Sequence, residues 1–386
     1  MNQLIRRTVF FMAVLLCLSS MTQLGLCQTR DIVRIPDVLG YKALKCDFHM
    51  HTVFSDGQVW PTVRAVEAWS NGLDAFSITD HIEYIPHKDD VKVDFNRSYE
   101  IARSTAHGYG LTLLRGAEIT RPMPPGHINA IFLQDASALD VEDWSDAVKA
   151  AYDQGAFIFW NHPGWTGQQP DGIARWYDEH TDMVEKGWIK GIEVVNHVSY
   201  YPEAHRWCLD KNLTMLANSD VHAPIQTSFD PMQGEHRPMT IVLAKDNTAE
   251  SIKEALLDRR TVLYYKDWLI GEEKYLSPIF MESIEMAPAN LTLKGKASGG
   301  IKISNYSDID FELELDGSIE ELSLPGKITL YAGKAALLSV RSNTEQLNEV
   351  KTVGLPYRVT NLKVAPDRGL PVRLNVEIQF IAKDAN

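Results

Sequence analysis

Residues Cys46-Asp47-Phe48-His49-Met50-His51-Thr52-Val53-Phe54-Ser55-Asp56-Gly57 read CDFHMHTVFSDG. The stretch begins as an apolar strand, Leu44 to His49, and runs out into a polar loop. In an extended segment residues i and i+2 point the same way, so His49 and His51 can both reach one ion. Imidazole joined by carboxylate suits zinc, manganese or iron, whereas calcium and magnesium want nearly all oxygen. Asp56 supplies a carboxylate a few residues on.

Working outward, short β-branched or aromatic runs alternate with helical stretches from Asp31 to about Lys266. The pattern predicts strands at Leu44 to His49, Ala75 to Thr79, Leu111 to Ile119, Ile128 to Leu133, Ala156 to Trp160, Gly191 to Asn196 and Leu213 to Asn218. Helices are predicted at Trp60 to Asn71, Phe95 to His107, Asp143 to Gln154, Pro202 to Asn212 and Thr248 to Arg259. Alternation of this kind implies an α/β domain with a parallel sheet, and seven strands are enough to close a distorted β/α barrel.

After about Ser277 the helical periodicity fades. Runs such as Phe311-Glu312-Leu313-Glu314-Leu315 and Arg373-Leu374-Asn375-Val376-Glu377-Ile378 alternate apolar with polar, which predicts a C-terminal antiparallel β-sandwich over 277–386. That segment contains no histidine or cysteine and offers no nitrogen or sulfur metal site. An accessory, structural role is expected for it, after a catalytic domain over 28–276.

The first 27 residues read as a secretory signal, with Arg6 and Arg7 ahead of an apolar run from Val9 to Leu18 too short to span a membrane. Cleavage after Cys27 is expected; bulky Leu26 argues against Cys27 as a lipid acceptor. No later run has the length of a transmembrane segment, so a periplasmic or extracellular location follows. Cys46 and Cys208 then remain, both in apolar segments and read as buried free thiols. The formal charge of −13 becomes −15 once Arg6 and Arg7 leave with the signal, which argues against bulk nucleic-acid binding. An anionic substrate is still compatible, because metal ions reverse the local field.

Six of the twelve histidines, His49, His51, His81, His127, His162 and His222, fall at the end or start of a predicted strand. Barrel strand ends converge on one face, where active sites are built. With Asp56, Glu118 and Asp220 they make nine candidate ligands, more than one ion can use, so a cluster of two or three divalent transition metals is expected. These motifs, His49-Met50-His51 with Ser55-Asp56-Gly57, Ile78-Thr79-Asp80-His81, Gly116-Ala117-Glu118, Gly126-His127, Asn161-His162-Pro163-Gly164 and Ser219-Asp220-Val221-His222, follow the order seen in the PHP (polymerase and histidinol phosphatase) superfamily, which the chain resembles from about Lys42 to Leu263. The resemblance implies a trinuclear site on a distorted seven-stranded barrel. It implies that His49, His51, Glu118 and Asp220 hold one metal, Glu118, His127 and His162 a second, and Asp56, His81 and His222 a third. The aspartate at position 56 resembles members that act on nucleotides or other small phosphate esters.

The expected chemistry is hydrolysis of a small phosphate mono- or diester by a metal-activated water, with Glu118 bridging metals. Asp80, Glu83 and His197 are candidate proton donors, and Asp80 is also a candidate to orient His81. Glu193 and Asn196 end a strand on the same face and, with Arg175, are candidate substrate contacts; Arg115, Arg121 and Arg237 are further candidates for a phosphate clamp. Aromatic residues Trp160, Trp165, Trp176, Tyr177, Trp188, Tyr200 and Tyr201 are read mainly as core or lid, with stacking on substrate as the alternative. Rival functions are a metal-dependent hydrolase of another bond, of amidohydrolase type, and a metal-holding binding module without catalysis.

Overall fold

In the computed structural model, residues 29–230 and 233–383 are described, and the expected signal lies outside them. The N-terminal domain runs β1 (Lys42–Asp47), α1 (Pro61–Ser70), β2 (Ala75–Ile78), α2 (Arg97–Gly108), β3 (Thr112–Ile119), β4 (Ile128–Ile131), α3 (Trp144–Asp153), β5 (Phe157–Trp160), α4 (Asp178–Glu185), β6 (Ile189–Asn196), β7 (Ser199–Tyr200), α5 (Pro202–Lys211) and β8 (Thr214–Asn218). It continues through β9 (Met239–Ala244), α6 (Ala249–Leu257), β10 (Thr261–Tyr265), β11 (Trp268–Gly271) and α7 (Glu273–Ser283). Local chemistry starts the helices where the sequence says it should. Pro61 and Pro202 occupy first-turn positions, where a missing N–H costs nothing. Asp143 accepts from the N–H groups of Ser145 and Asp146, and Thr248 accepts from Ser251 N–H.

The seven expected strands pair in the order β1-β2-β3-β4-β5-β6-β8. β4, β5, β8 and β9 are buried along their whole length, as strands covered on both faces must be. One feature departs from the parallel expectation: β4 is antiparallel to both β3 and β5. The chain passes from Ile119 to Ile128 without a crossover helix, so it can only return in the opposite direction. His127 therefore precedes its strand yet lies at the same barrel end as residues that follow theirs.

Closure between β8 and β9 uses side chains in place of a ladder. Thr240 Oγ1 accepts from Ala217 N–H and donates to Ala217 O, both at 2.9 Å. Above that seam the backbones of the first and last barrel strands meet directly: Asp220 N–H donates to His49 O (2.9 Å) and His51 N–H to Val221 O (3.1 Å).

The C-terminal domain comprises β12 (Ile284–Ala287), β13 (Asn290–Lys294), β14 (Ser298–Asn305), β15 (Phe311–Leu315), β16 (Leu322–Ser323), β17 (Lys327–Leu330), β18 (Ala335–Ser342), β19 (Glu349–Ala365) and β20 (Arg368–Ile381). Alternating burial along β20 puts every second side chain into the sandwich core. The pairing is antiparallel except at β13, which runs parallel to β20. Position 277, where the sequence pattern changes, falls within α7, and the first sandwich strand opens at Ile284. The domains share a sheet: β11 pairs with β19 through Leu269↔Leu362 and Ile270↔Lys363. Asn361 reinforces the join by donating to the carbonyls of Asp267 and Asp310, each at 2.7 Å. Cys46 and Cys208 are buried free thiols, as expected. Among the described residues no helix is long and apolar enough to cross a membrane.

Candidate metal centre

His49 and His51 extend beyond β1, and the loop after them must turn back sharply to bring Asp56 to the same place. Gly57 permits the turn, since a Cβ there would lie 2.6 Å from the His51 carbonyl carbon and the Thr52 nitrogen. Asp80 fixes the loop by accepting from Thr52 N–H (2.6 Å), Thr52 Oγ1 (2.8 Å) and Ser55 Oγ (2.9 Å). His81 follows β2, Glu118 lies within β3, His162 follows β5, and Asp220 with His222 follows β8. His162 and Asp220 take left-handed backbone angles, φ 26° and 51°, of the kind that collects at functional sites.

The side chains converge closely. Nε2 of His49 lies 3.0 Å from Nε2 of His51, 2.8 Å from Glu118 Oε2 and 3.2 Å from Asp220 Oδ1. His51 Nε2 lies 3.0 Å from that aspartate oxygen and 3.2 Å from that glutamate oxygen. Ligands about 2.0–2.1 Å from a tetrahedral zinc stand roughly 3.3 Å apart, so these four atoms already approximate a coordination polyhedron. The other Glu118 oxygen, Oε1, is 2.6 Å from His127 Nδ1 and 3.9 Å from His162 Nε2. Asp56 Oδ1 is 3.2 Å from His222 Nε2 and 3.5 Å from His81 Nε2.

Close groups of donors able to hold an ion are therefore His49, His51 and Asp220; His51, Asp56, His81 and His222; and His81, Glu118 and His127. His162 stands slightly apart, 3.9 Å from both Glu118 and Asp220. All nine candidates lie in one assembly. The fit to metal ions is also chemical: two imidazole nitrogens aimed at each other cannot both be satisfied as acceptors, and a shared cation satisfies both. Buried Asp56 Oδ1, Glu118 Oε1 and His162 Nδ1 have no hydrogen-bond partner.

The charges follow from this crowding. Burial disfavours protonated His49, yet the carboxylates of Asp220, Glu193 and Glu118 overcome it and hold its pKa well above the usual value. Burial pushes Glu118 and Asp220 up, but the surrounding histidines prevail and hold both well below the carboxylate range. For Asp56 too, burial is outweighed, by the nearby imidazoles of His222, His81 and His51, and its pKa is lowered. Burial dominates at His162, which falls to about 3, while Asp56 and Asp220 raise His222 to about 9.

A layer of partners fixes the donors. Glu193 is fully buried; its Oε1 accepts from His49 Nδ1 (2.8 Å) and Asn218 Nδ2 (2.9 Å), and its Oε2 from His162 N–H and Asn196 Nδ2 (both 2.8 Å). With Nδ1 bonded in this way, His49 presents Nε2 to the centre. Asn196 also donates to Asp220 Oδ2 at 3.2 Å. Both oxygens of Glu193 are thus committed to His49, His162 and neighbouring amides, and Asn196 commits its amide nitrogen to Glu193 and Asp220. His81 is oriented by Thr120 Oγ1 (2.6 Å), so Asp80 shapes the loop before it and does not orient it.

Other candidates are drawn elsewhere. His197 lines a separate cavity of about 540 Å³ with Phe229, His236 and Tyr264, so it is removed from the donors as an acid. Arg175 is bound to Asp171 and Gln169, and Arg115 to Asn96. Arg237 is buried beside Asp47. Trp160 stacks between His180 (3.7 Å) and Trp207 (5.7 Å) as core. Trp165 instead lies against His127 and His162.

Sequence reasoning missed Arg64. From α1, with its side chain fully buried, it donates to the carbonyls of His51 (2.8 Å), Val221 (3.0 Å), His222 (2.7 Å) and Ala223 (3.0 Å), and pairs with Glu67 at 2.6 Å. It joins the two ligand-bearing segments. An arginine on the apolar side of a helix, with glutamate three residues on, was the available signal.

A family model described as an Ig-like domain matches residues 284–375. No curated protein matches the chain. Among solved structures, a two-domain protein containing a predicted PHP-like metal-dependent phosphoesterase from Bacteroides vulgatus is 45% identical, covers 91% of this chain and 100% of its own, and superposes with a TM-score of 0.86. A Bifidobacterium adolescentis protein provisionally described as a metal-dependent phosphoesterase is 18% identical, covering 47% of this chain and 89% of its own, with a TM-score of 0.36. A Chromobacterium violaceum amidohydrolase is 15% identical, covering 46% and 88%, with a TM-score of 0.34. The last two scores are too low to carry an argument. By its identity to the first over nearly its whole length, the chain belongs to the family of two-domain proteins that contain a predicted PHP-like metal-dependent phosphoesterase.

Proposed function

We propose that this protein is an exported metal-dependent hydrolase of small phosphate esters. The observation that carries the reading is the convergence of His49, His51, Glu118 and Asp220, whose facing atoms stand 2.8–3.2 Å apart with only imidazole and carboxylate around them. His49, His51, Glu118 and Asp220 would hold one divalent transition metal, Glu118, His127 and His162 a second, and Asp56, His81 and His222 a third. Bound there, zinc, manganese or iron ions supply Lewis acidity, lowering the pKa of a water and offsetting charge on phosphate oxygens.

The chain's own part is positioning. Glu118 turns one oxygen towards His49 and His51 and the other towards His127, so a single carboxylate serves two neighbouring sites. Glu193 and Asn196 keep His49 and Asp220 in place while the water oxygen attacks phosphorus in line and the ester oxygen departs. Glu83 accepts from Thr120 N–H (2.7 Å) and pairs with Arg121 (2.8 Å), so its carboxylate steadies the residue that orients His81.

The test is metal analysis of the purified mature protein with a screen of phosphate mono-, di- and triesters. Two or more equivalents of metal and turnover of a mono- or diester are expected. Cleavage of amides or lactones alone would favour the amidohydrolase type, and full metal occupancy without any hydrolysis would favour a binding module.

A further inference from the structure

Two cavities of about 790 and 540 Å³ lie away from the donors, and none of the nine lines either one. The donors reach solvent chiefly at His222, Asp56, Asp220 and His127, and what borders that opening sets the chemistry a substrate meets. The border is aromatic. Tyr84, His81, His127 and Trp165 form a row with successive ring centroids 5.9, 5.7 and 5.6 Å apart. Both end members are open to solvent, Tyr84 at 54% and Trp165 at 46%, where an apolar ring without a partner is costly.

Trp165 is also braced. A Cβ on Gly167 would fall 2.5 Å from Cζ2 of the indole, so the ring lies directly on that glycine and is kept beside His127 and His162. Among the described residues no lysine or arginine is recorded as ion-paired with the donor carboxylates Glu118, Asp220 and Asp56; each of their ion pairs is with histidine. Arg121 is already taken up by Glu83 (2.8 Å) and by the carbonyls of Val141 and Glu142 (2.7 Å each), and Arg175 by Asp171.

We infer that the substrate carries one phosphate group, bound at the metals, and a flat uncharged ring that stacks on the open face of Trp165 with Tyr84 bounding the far side. This rests on the phosphoesterase reading and narrows it. A ring face has affinity for an indole whatever its hydrogen-bonding pattern, whereas a second phosphate needs a cation, and Arg121 and Arg175 are already paired.

Calorimetric titration of the metal-loaded protein with phosphonates tests the inference without turnover. Phenylphosphonate is expected to bind about 10-fold tighter than hexylphosphonate, the range of one stacking contact. Trp165→Ala should bring that ratio close to one, Trp165→Phe should restore part of it, and 1,4-phenylene bisphosphonate should bind no tighter than phenylphosphonate. Equal affinity for the two monophosphonates, a ratio unmoved by Trp165→Ala, tenfold preference for the bisphosphonate, or no binding at all would each overturn the inference. Trp165-dependent phenylphosphonate binding without hydrolysis of phenyl phosphate would instead defeat the phosphoesterase reading and leave the aromatic wall standing.

Discussion

Nδ1 of His49 and Oε1 of Glu193 are 2.8 Å apart, and neither side chain reaches solvent. The carboxylate determines which ring nitrogen is free to ligate and makes it a better donor. Glu193→Gln keeps the shape but removes the charge. It should weaken metal binding by about 10–100-fold, measured by competition with a chelator, with the fold unchanged by circular dichroism. Undiminished metal affinity would remove Glu193 from the site.

Arg64 is expected to matter for stability before chemistry. Arg64→Met leaves Glu67 without its ionic partner and the carbonyls of His51 and Ala223 without their donor, while Val221 and His222 keep only the N–H groups of His51 and Gln58. Breaking a buried pair in this way costs roughly 3–5 kcal/mol. The metal-free variant should melt lower by on the order of 10 °C, as a chain this long loses about 2–4 °C per kcal/mol. A melting point within a degree or two of the parent would show that Arg64 is dispensable.

Acid should destabilise the protein through two buried histidines that are not among the metal donors. Burial depresses His180 and His205 to about 4 each, from the usual value near 6.5. The unfolded chain therefore binds protons that the folded chain refuses, and their contribution is complete above pH 6.5 and lost as pH falls towards 4. Each contributes a slope of about 1.4 kcal/mol per pH unit across that window. Chemical denaturation of His180→Gln at several pH values should give a flatter profile than the parent; an identical profile would refute the assignment.

Two substitutions separate the shared carboxylate Glu118 from His197, one of the proton donors that the sequence suggested. Glu118→Ala should lower kcat/KM for any accepted ester by at least about 10³-fold, the scale lost with a key electrostatic group. His197→Ala should leave it within about threefold, since His197 looks into a cavity none of the donors lines. A large loss in His197→Ala would return that residue to the reaction.

Deleting residues from 284 onward should not yield a stable barrel. The cut strips β19 from β11 and exposes Leu269 and Ile270, which are now fully buried. Expression of 29–283 should give aggregated or molten protein by light scattering and near-UV circular dichroism; a cooperative melt would contradict this.

Much of the barrel was legible because its strands are short apolar runs separated by capped or proline-led helices. Local signals of that kind survive in a single sequence. The reversal of β4 was not, since the Thr120 to His127 link differs from a crossover only by lacking a helix. Nor was the sheet shared by β11 and β19, which joins residues about ninety positions apart. At the site, residue type and strand-end spacing nominated nine donors, of which eight fall in the close groups while His162 stands 3.9 Å from Glu118 and Asp220. Glu193 and Asn196 looked like substrate contacts because their strand ends on the right face. Only coordinates reveal that both Glu193 oxygens and the Asn196 amide nitrogen are already committed to His49, His162 and Asp220.

The barrel seam at Thr240 carries one further meaning. β8 is tied to β9 there by one hydroxyl, and the next firm connection is the meeting of His49 and His51 with Asp220 and Val221. Ions held between the first strand's histidines and the last strand's aspartate would act as a clasp across the join, so that loading the site and locking the barrel shut would be one event.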